Sequence, residues 1–157
     1  MSTLIVYATR HGCTEKAADI LVKNLGSDVS VANLKENKNP DLTKADTIIV
    51  GGSIHAGQIQ GKIKKFSKKN LDILKQKRLG LFLCCMEEGK KAQEQFDHAY
   101  PAELREHASA TGLFGGEFNF DMMNFLERFI IKKIAGTTEN VSKIKEEQIK
   151  KFAQEIK

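Results

Sequence analysis

Between Thr9 and Thr14 the chain sets hydroxyl, cationic, imidazole, glycine and thiol groups side by side, as Thr9-Arg10-His11-Gly12-Cys13-Thr14. An apolar run precedes them and a helical pattern follows at once. That combination suits a phosphate. Backbone N–H groups at a helix start lack intrahelical partners and carry the positive end of the helix dipole. Gly12 lets the backbone approach closely, and Thr9 and Thr14 add hydroxyl donors. The same residues also suit a plain helix start with Thr14 as its cap, and spacing alone leaves both readings open. The motif G-x-x-x-x-G-K-[ST] is absent, which disfavours nucleoside triphosphates. G-x-G-x-x-G is absent too, which disfavours an NAD-binding domain.

Two further stretches combine glycines with reactive groups. Gly51-Gly52-Ser53-Ile54-His55-Ala56-Gly57 follows one apolar run, and Cys84-Cys85-Met86-Glu87-Glu88-Gly89 closes another. Cys84 and Cys85 read either as small apolar residues at a strand end or as redox thiols. The second role needs a lowered thiol pKa, which Glu87 and Glu88 oppose.

The elements that must position these groups are legible from periodicity. Residues 3–8 read as a continuous apolar strand. From Glu15, Ala17, Ala18, Leu21, Val22 and Leu25 recur at helical spacing until Gly26. Val29, Val31 and Leu34 alternate as a second strand, and residues 37–41 are loop chemistry. Residues 46–52 form a third strand. Residues 59–74 form a helix with Ile63, Phe66, Leu71 and Leu74 inward, and residues 79–85 form a fourth strand. A helix over 92–108, interrupted near Pro101, precedes a fifth strand over 111–120. Residues 122–134 read as an apolar helix and 141–156 as an amphipathic one. Alternating strands and helices with continuous apolar strands predict an α/β, doubly wound parallel sheet with helices on both faces. Ligands of such sheets sit at the carboxyl ends of the strands, at the topological switch point. The three chemically loaded stretches follow strands one, three and four.

Composition bounds the class. Of 157 residues, 41% are hydrophobic and 29% charged, as in a globular protein, and one domain over 1–157 is expected. No apolar run approaches the ~20 residues of a membrane helix. The run 4–8 is too short for a signal-peptide core, so a cytoplasmic location is expected. Three cysteines, two of them adjacent, with no zinc-ligand spacing, argue against a disulfide framework or a structural metal. The net charge of +5 is uneven: residues 62–78 hold eight basic side chains and one acidic. That run is either a solvated helix face or an attraction for an anionic surface or ligand. It lacks interleaved aromatics beyond Phe66, which argues against nucleic acid.

The segment 9–14 resembles the T-x-T-G-x-T phosphate loop of flavodoxins, with Arg10 and His11 in place of the more usual small or hydroxyl residues. The fuller string Tyr7 to Glu15 is similar to one branch, the flavodoxin-type menaquinone-dependent protoporphyrinogen oxidases, which carry a serine-threonine-arginine-x-glycine-x-threonine run. Gly51 to Gly57 is similar to that branch's glycine-x-serine-isoleucine loop, and Phe129 to Thr138 matches near the C-terminal helix. The resemblance spans the chain in order.

It implies a flavodoxin-like five-stranded sheet in the order 2-1-3-4-5 and an FMN cofactor. Thr9, Arg10, His11, Gly12, Cys13 and Thr14 would hold the phosphate. Ser53, Ile54, His55, Ala56 and Gly57 would flank one edge of the flavin, with Gly57 permitting a peptide rotation. The branch tends to place a basic residue and then an aromatic where this chain has His55 and Ala56. His55 keeps positive character there or is a plain loop histidine, and Ala56 offers no ring to stack. Cys85, Met86, Glu87, Glu88 and Gly89 would flank the other side, again without a stacking aromatic.

No catalytic acid or base is implied, because the flavin does the redox chemistry. Two functions follow: an oxidoreductase taking electrons from a reduced substrate such as protoporphyrinogen to a quinone, or an electron carrier between protein partners. The sequence pI near 9.1 weakens the carrier reading, since flavodoxin carriers are generally acidic. Residues 122–134 are either a buried helix or a surface for a quinone, a porphyrin or the inner face of the membrane, with Lys132 and Lys133 meeting anionic headgroups.

Overall fold

Aliphatic and β-branched residues dominate the chain's strands, a composition that fits a sheet covered on both sides. The computed structural model of the protein describes residues 2–10, 12–118, 127, 129, 133 and 141–157. The central strands are β1 (Thr3–Tyr7), β3 (Thr47–His55) and β5 (Arg78–Cys84), with β2 (Val29–Asn33) and β6 (Ala110–Leu113) at the edges. They pair in parallel in the spatial order β2-β1-β3-β5-β6. Counting parallel strands alone, this is the expected order 2-1-3-4-5.

Successive side chains of a strand point to opposite faces, and each face meets its own helices. Ile5, Tyr7, Ile49, Phe82 and Cys84 pack with Ala17 and Leu21 of α1 (Cys13–Leu25). Ile149, Phe152 and Ile156 of the C-terminal helix (Glu146–Ile156) complete that layer. Val6, Ile48, Val50, Leu81 and Leu83 face the other way. There they meet α2 (Gly61–Lys69), α3 (Leu71–Gln76), α4 (Gly89–Ala99) and α5 (Ala102–His107) through Ile63, Phe66, Leu74, Phe96 and Leu104. The C-terminal helix is α6.

In the first layer three aromatic rings set the spacing. Phe82 stacks on Phe114 at 4.7 Å, and Phe152 stands edge-on to Phe114 at 5.2 Å. Gly51, opposite Phe82 in register, admits that ring: a Cβ there would lie 1.9 Å from Phe82 Cζ.

Several boundaries differ from the pattern-based expectation. The third strand runs on to His55 and turns back as β4 (Gln58–Ile59), so Ser53, Ile54 and His55 are strand residues. The helix expected over 59–74 begins at Gly61 and breaks at Asn70, which ends α2 by bonding to the Phe66 carbonyl through both its backbone and its side-chain nitrogens. The helix expected from residue 92 starts at Gly89, and its break at Tyr100 and Pro101 is where proline dictates.

The fifth strand ends at Leu113 rather than residue 120. Gly115 takes φ 76°, and its carbonyl accepts from Cys85 N–H at 2.9 Å, pulling the chain off the strand path. A separate pair follows, β7 (Glu117–Phe118) antiparallel to β8 (Val141–Ser142). Val141 and Ser142 therefore belong to a strand and not to the final helix. The apolar stretch 122–134 lies outside the described residues except for positions 127, 129 and 133. Among the described residues no helix is long and apolar enough to cross a membrane.

The Gly51–Phe82 contact yields a direct test. Gly51→Ala should destabilise the protein by on the order of 3 kcal/mol in urea unfolding, because the new methyl overlaps the ring. The same change made together with Phe82→Leu should cost clearly less, a coupling that a double-mutant cycle reads.

Candidate functional site

The carboxyl ends of β1, β3 and β5 point the same way in a parallel sheet, and the three loaded stretches meet there. After β1, Gly12 takes φ 90° and ψ −8°, a left-handed conformation that glycine adopts without steric cost. This bends the chain so that Gly12 N–H donates to Thr9 Oγ1 at 3.0 Å, while the Gly12 carbonyl accepts from Lys16 N–H. Gly12 thus occupies the cap position of α1. The plain reading of Thr14 as N-cap is not what the structure shows: Thr14 is the second helical residue.

The Thr14 hydroxyl is fully buried and has no nitrogen or oxygen partner among the described residues; its polar neighbour is the Cys84 thiol. A thiol is a weak hydrogen-bonding group, so the hydroxyl is poorly satisfied there. Two other buried polar atoms, Ser67 Oγ and Gln95 Oε1, share that condition, but they lie past the first turn of their helices, whereas Thr14 lies in the first turn of α1. Thr9 is half-buried, Arg10 exposed and Cys13 buried; His11 lies outside the described residues. Arg10 Nε pairs with Glu127 at 3.0 Å, and Lys16 Nζ pairs with Glu117 at 2.6 Å. The loop is therefore fastened to two later parts of the chain.

Beneath the loop the Cys13 and Cys84 thiols hydrogen-bond to one another. Cys84 is the donor. That bond and its burial push the Cys84 thiol well up, while the same bond holds Cys13 below the ordinary thiol range against the opposing effect of burial. Burial also raises Cys85. All three cysteines are free.

The second stretch is a hairpin tip. Ala56 at φ 50° and Gly57 at φ 78° form the two-residue turn between β3 and β4, both left-handed, as such turns require. Gly57 takes this conformation at no cost; Ala56 is the strained member. Both are exposed. Ser53 Oγ lies 3.1 Å from His55 Nε2, so His55 leans back along the strand onto Ser53.

Gln60, which sequence reasoning passed over as a helix residue, is the hub. Its Oε1 accepts from Ser53 N–H at 2.8 Å, and its Nε2 donates to Ser53 Oγ at 2.8 Å and to the Ala8 carbonyl at 3.1 Å. One amide thus ties the ends of β1 and β3 together. Gly52 has to be glycine for this, since a Cβ would come within 2.7 Å of Gln60 Oε1. Nothing in a glutamine beside an apolar pattern signals such a role; only the position of the hairpin does.

In the third stretch the structure separates the residues. Cys85 is buried, with its thiol directed to the Glu87 carbonyl at 3.7 Å, and Met86 is half-buried against Gly116. Glu87 and Glu88 are exposed and pair outward, with Lys91 at 3.3 Å and Lys145 at 3.8 Å. Gly89, at φ 60°, starts α4. Among the described residues no group of His, Cys, Asp and Glu could hold a metal ion. What converges is a glycine-led helix start with a poorly satisfied buried hydroxyl in its first turn, a donor set that fits an anionic ligand.

Known proteins match this layout. The chain is 26% identical over 171 residues to protoporphyrinogen IX dehydrogenase [quinone] of Escherichia coli strain K12, covering 99% of this chain and 94% of that protein. Its fold is that of flavodoxin 1 from Bacillus cereus (TM-score 0.61, 18% identity, 99% and 97% covered). Megasphaera elsdenii flavodoxin is similar as well (TM-score 0.56, 17% identity, 97% and 98% covered). A family model described as flavodoxin domain matches residues 4–145. By that match and its sheet order, the chain belongs to the flavodoxin domain family and is a flavodoxin-like oxidoreductase.

Proposed function

We propose that this chain binds FMN at the carboxyl edge of its sheet and carries electrons from a reduced substrate of the porphyrinogen class to a quinone. The observation that carries the reading is the Thr14 hydroxyl, buried at the start of α1 directly after the left-handed Gly12, with no nitrogen or oxygen partner and only the Cys84 thiol beside it. A phosphate there would accept from that hydroxyl and from the free N–H groups of the first turn. Thr9, Arg10, His11 and Cys13 complete the loop around it. Ser53 to Gly57 would border one side of the flavin ring, with the Ala56-Gly57 peptide in reach of its edge, and Cys85 to Gly89 would border the other. Bound FMN would supply the electron transfer; the protein's part is to hold, orient and shield it.

The substrate and acceptor classes come from the E. coli relative, whose name states both. The stretch 122–134 would be the side on which a lipophilic partner or the membrane is met; Phe129, its described apolar member, is 57% exposed. Arg10, through its bond to Glu127, holds that one residue of the stretch at the loop after β1.

Thr14→Val tests the central point with two opposite signs. Without flavin, the variant should be more stable than the parent by about 1 kcal/mol in urea unfolding, because a buried hydroxyl served only by a weakly hydrogen-bonding thiol is replaced by an isosteric methyl. With flavin, FMN affinity measured by quenching of flavin fluorescence should fall roughly tenfold, the loss of one hydrogen bond to a charged group. A destabilised apo-protein with unchanged FMN affinity would show that the hydroxyl faces something else.

Gln60→Ala removes three hydrogen bonds at the junction of β1 and β3. It should lower the stability by about 2 kcal/mol and weaken FMN binding as the two loops lose their fixed separation. Unchanged flavin affinity would make Gln60 a purely structural residue.

A further inference from the structure

The basic run at 62–78 is divided by the fold into two parts with different uses. In α3 and the strand after it, the cations are committed to the protein itself. Lys75 pairs with Glu103 at 2.9 Å, Lys77 donates to the Thr43 carbonyl, and Arg78 holds the carbonyls of Glu155 and Ile156 at the end of α6. In α2 they are not. Ile63, Phe66 and Ser67 are its buried positions, and the rest of its circumference is lysine: Lys62, Lys64, Lys65, Lys68 and Lys69. Lys64 and Lys69 reach only neutral acceptors, Gln58 and Asn39. Among the described residues none of the five makes an ion pair.

This arrangement works against the helix on its own. Lys62 with Lys65 and Lys65 with Lys68 are like charges three residues apart; Lys64 with Lys68 and Lys65 with Lys69 are four apart, and all four pairs repel. Lys62 and Lys64 also sit in the first turn, which holds no acidic residue, against the positive end of the dipole. Each of these penalties is relieved by an anionic surface laid along the helix.

We infer that the five-lysine arc of α2 is a docking surface for an anionic lipid bilayer. The arc is convex and purely lysine on its exposed side, with no Arg, Tyr, Trp or Met, the residues that anchor specific protein interfaces, where lysine is depleted. It lacks the aromatic platforms that single-stranded nucleic acid uses. Attraction to anionic headgroups asks for nothing beyond clustered lysines. The location gives the contact a use. The residue before α2 is Gln60, bonded to Ser53 and Ala8, and Lys64 bonds to Gln58 of the hairpin, so the arc begins at the edge where the flavin would be exposed. A bilayer on α2 brings that edge to the phase that holds lipophilic quinones. This use rests on the quinone-coupled reading above; the binding itself does not.

The test is sedimentation of the flavin-loaded full chain with vesicles of phosphatidylcholine and phosphatidylglycerol at 3:1, beside vesicles of phosphatidylcholine alone. The chain should partition onto the anionic vesicles only, and 0.5 M salt should release it. Replacing Lys62, Lys65 and Lys68 together by Gln should lower the partition coefficient on the order of a hundredfold. Replacing the exposed Lys150, Lys151 and Lys157 of the α6 end by Gln, an equal loss of charge, should lower it less than threefold. Urea midpoints and flavin content, read on the same samples, establish that the variants are folded and loaded. No partition of the parent chain, or equal loss in both triple variants, overturns the inference. So does salt-sensitive binding to duplex DNA or polyglutamate without any to vesicles. Partition of a chain that takes up no FMN counts against the flavin reading and leaves the docking surface standing.

Discussion

The side-chain amide of Gln60 spans the gap between the ends of two parallel strands, accepting from Ser53 and donating to Ser53 and Ala8. Parallel strands end without a direct link between them, and the residues just beyond their carboxyl ends are free to splay. A single planar group with two donors and an acceptor removes that freedom. It fixes where the loop after β1 leaves the sheet and where the β3–β4 hairpin stands, and it starts α2. Glycine at position 52 follows from it, because a side chain there would displace the amide.

The rest of the candidate site is held from outside by charge. Lys16 reaches Glu117 and Arg10 reaches Glu127, so the first turn of α1 is tied to β7 and the loop after β1 to a residue between β7 and β8. In both pairs the cation is half-exposed and the carboxylate largely covered, so solvent screens the attraction only in part. Their effect is positional. Beneath them lies an apolar layer in which Phe82, Phe114 and Phe152 interlock, with Cys84 kept as a thiol by its burial and its bond to Cys13. The Thr14 hydroxyl is buried in the first turn of α1 with only the Cys84 thiol as polar neighbour, a poorly satisfied group in a well-packed place.

The sheet was legible because its signal is local. Continuous apolar runs at 3–8, 46–52 and 79–85, separated by helical periods, admit few other arrangements, and the observed order of the parallel strands follows the family resemblance. What was not legible depends on tertiary partners. Ser53 to His55 carry no turn residue until Ala56-Gly57, so strand and loop look alike until the pairing with Gln58 and Ile59 is known. The expected fifth strand ran through Gly115 because alternation says nothing of a left-handed residue that must clear the Lys143 carbonyl. Thr14 was readable as a cap or as a ligand; only Gly12's conformation separates the two. The eight cations of 62–78 look like one block in sequence, yet α3 and β5 spend theirs on the fold and α2 does not. Gln60 gave no sign at all.

The measurement that bears most directly on the central claim is a paired titration of the flavin-free chain with FMN and with riboflavin, which differ only in the phosphate. Binding of FMN at one per chain, tighter than riboflavin by on the order of a hundredfold, is the result that a phosphate held by the start of α1 predicts. Equal affinity for the two, or no binding of either, would contradict it.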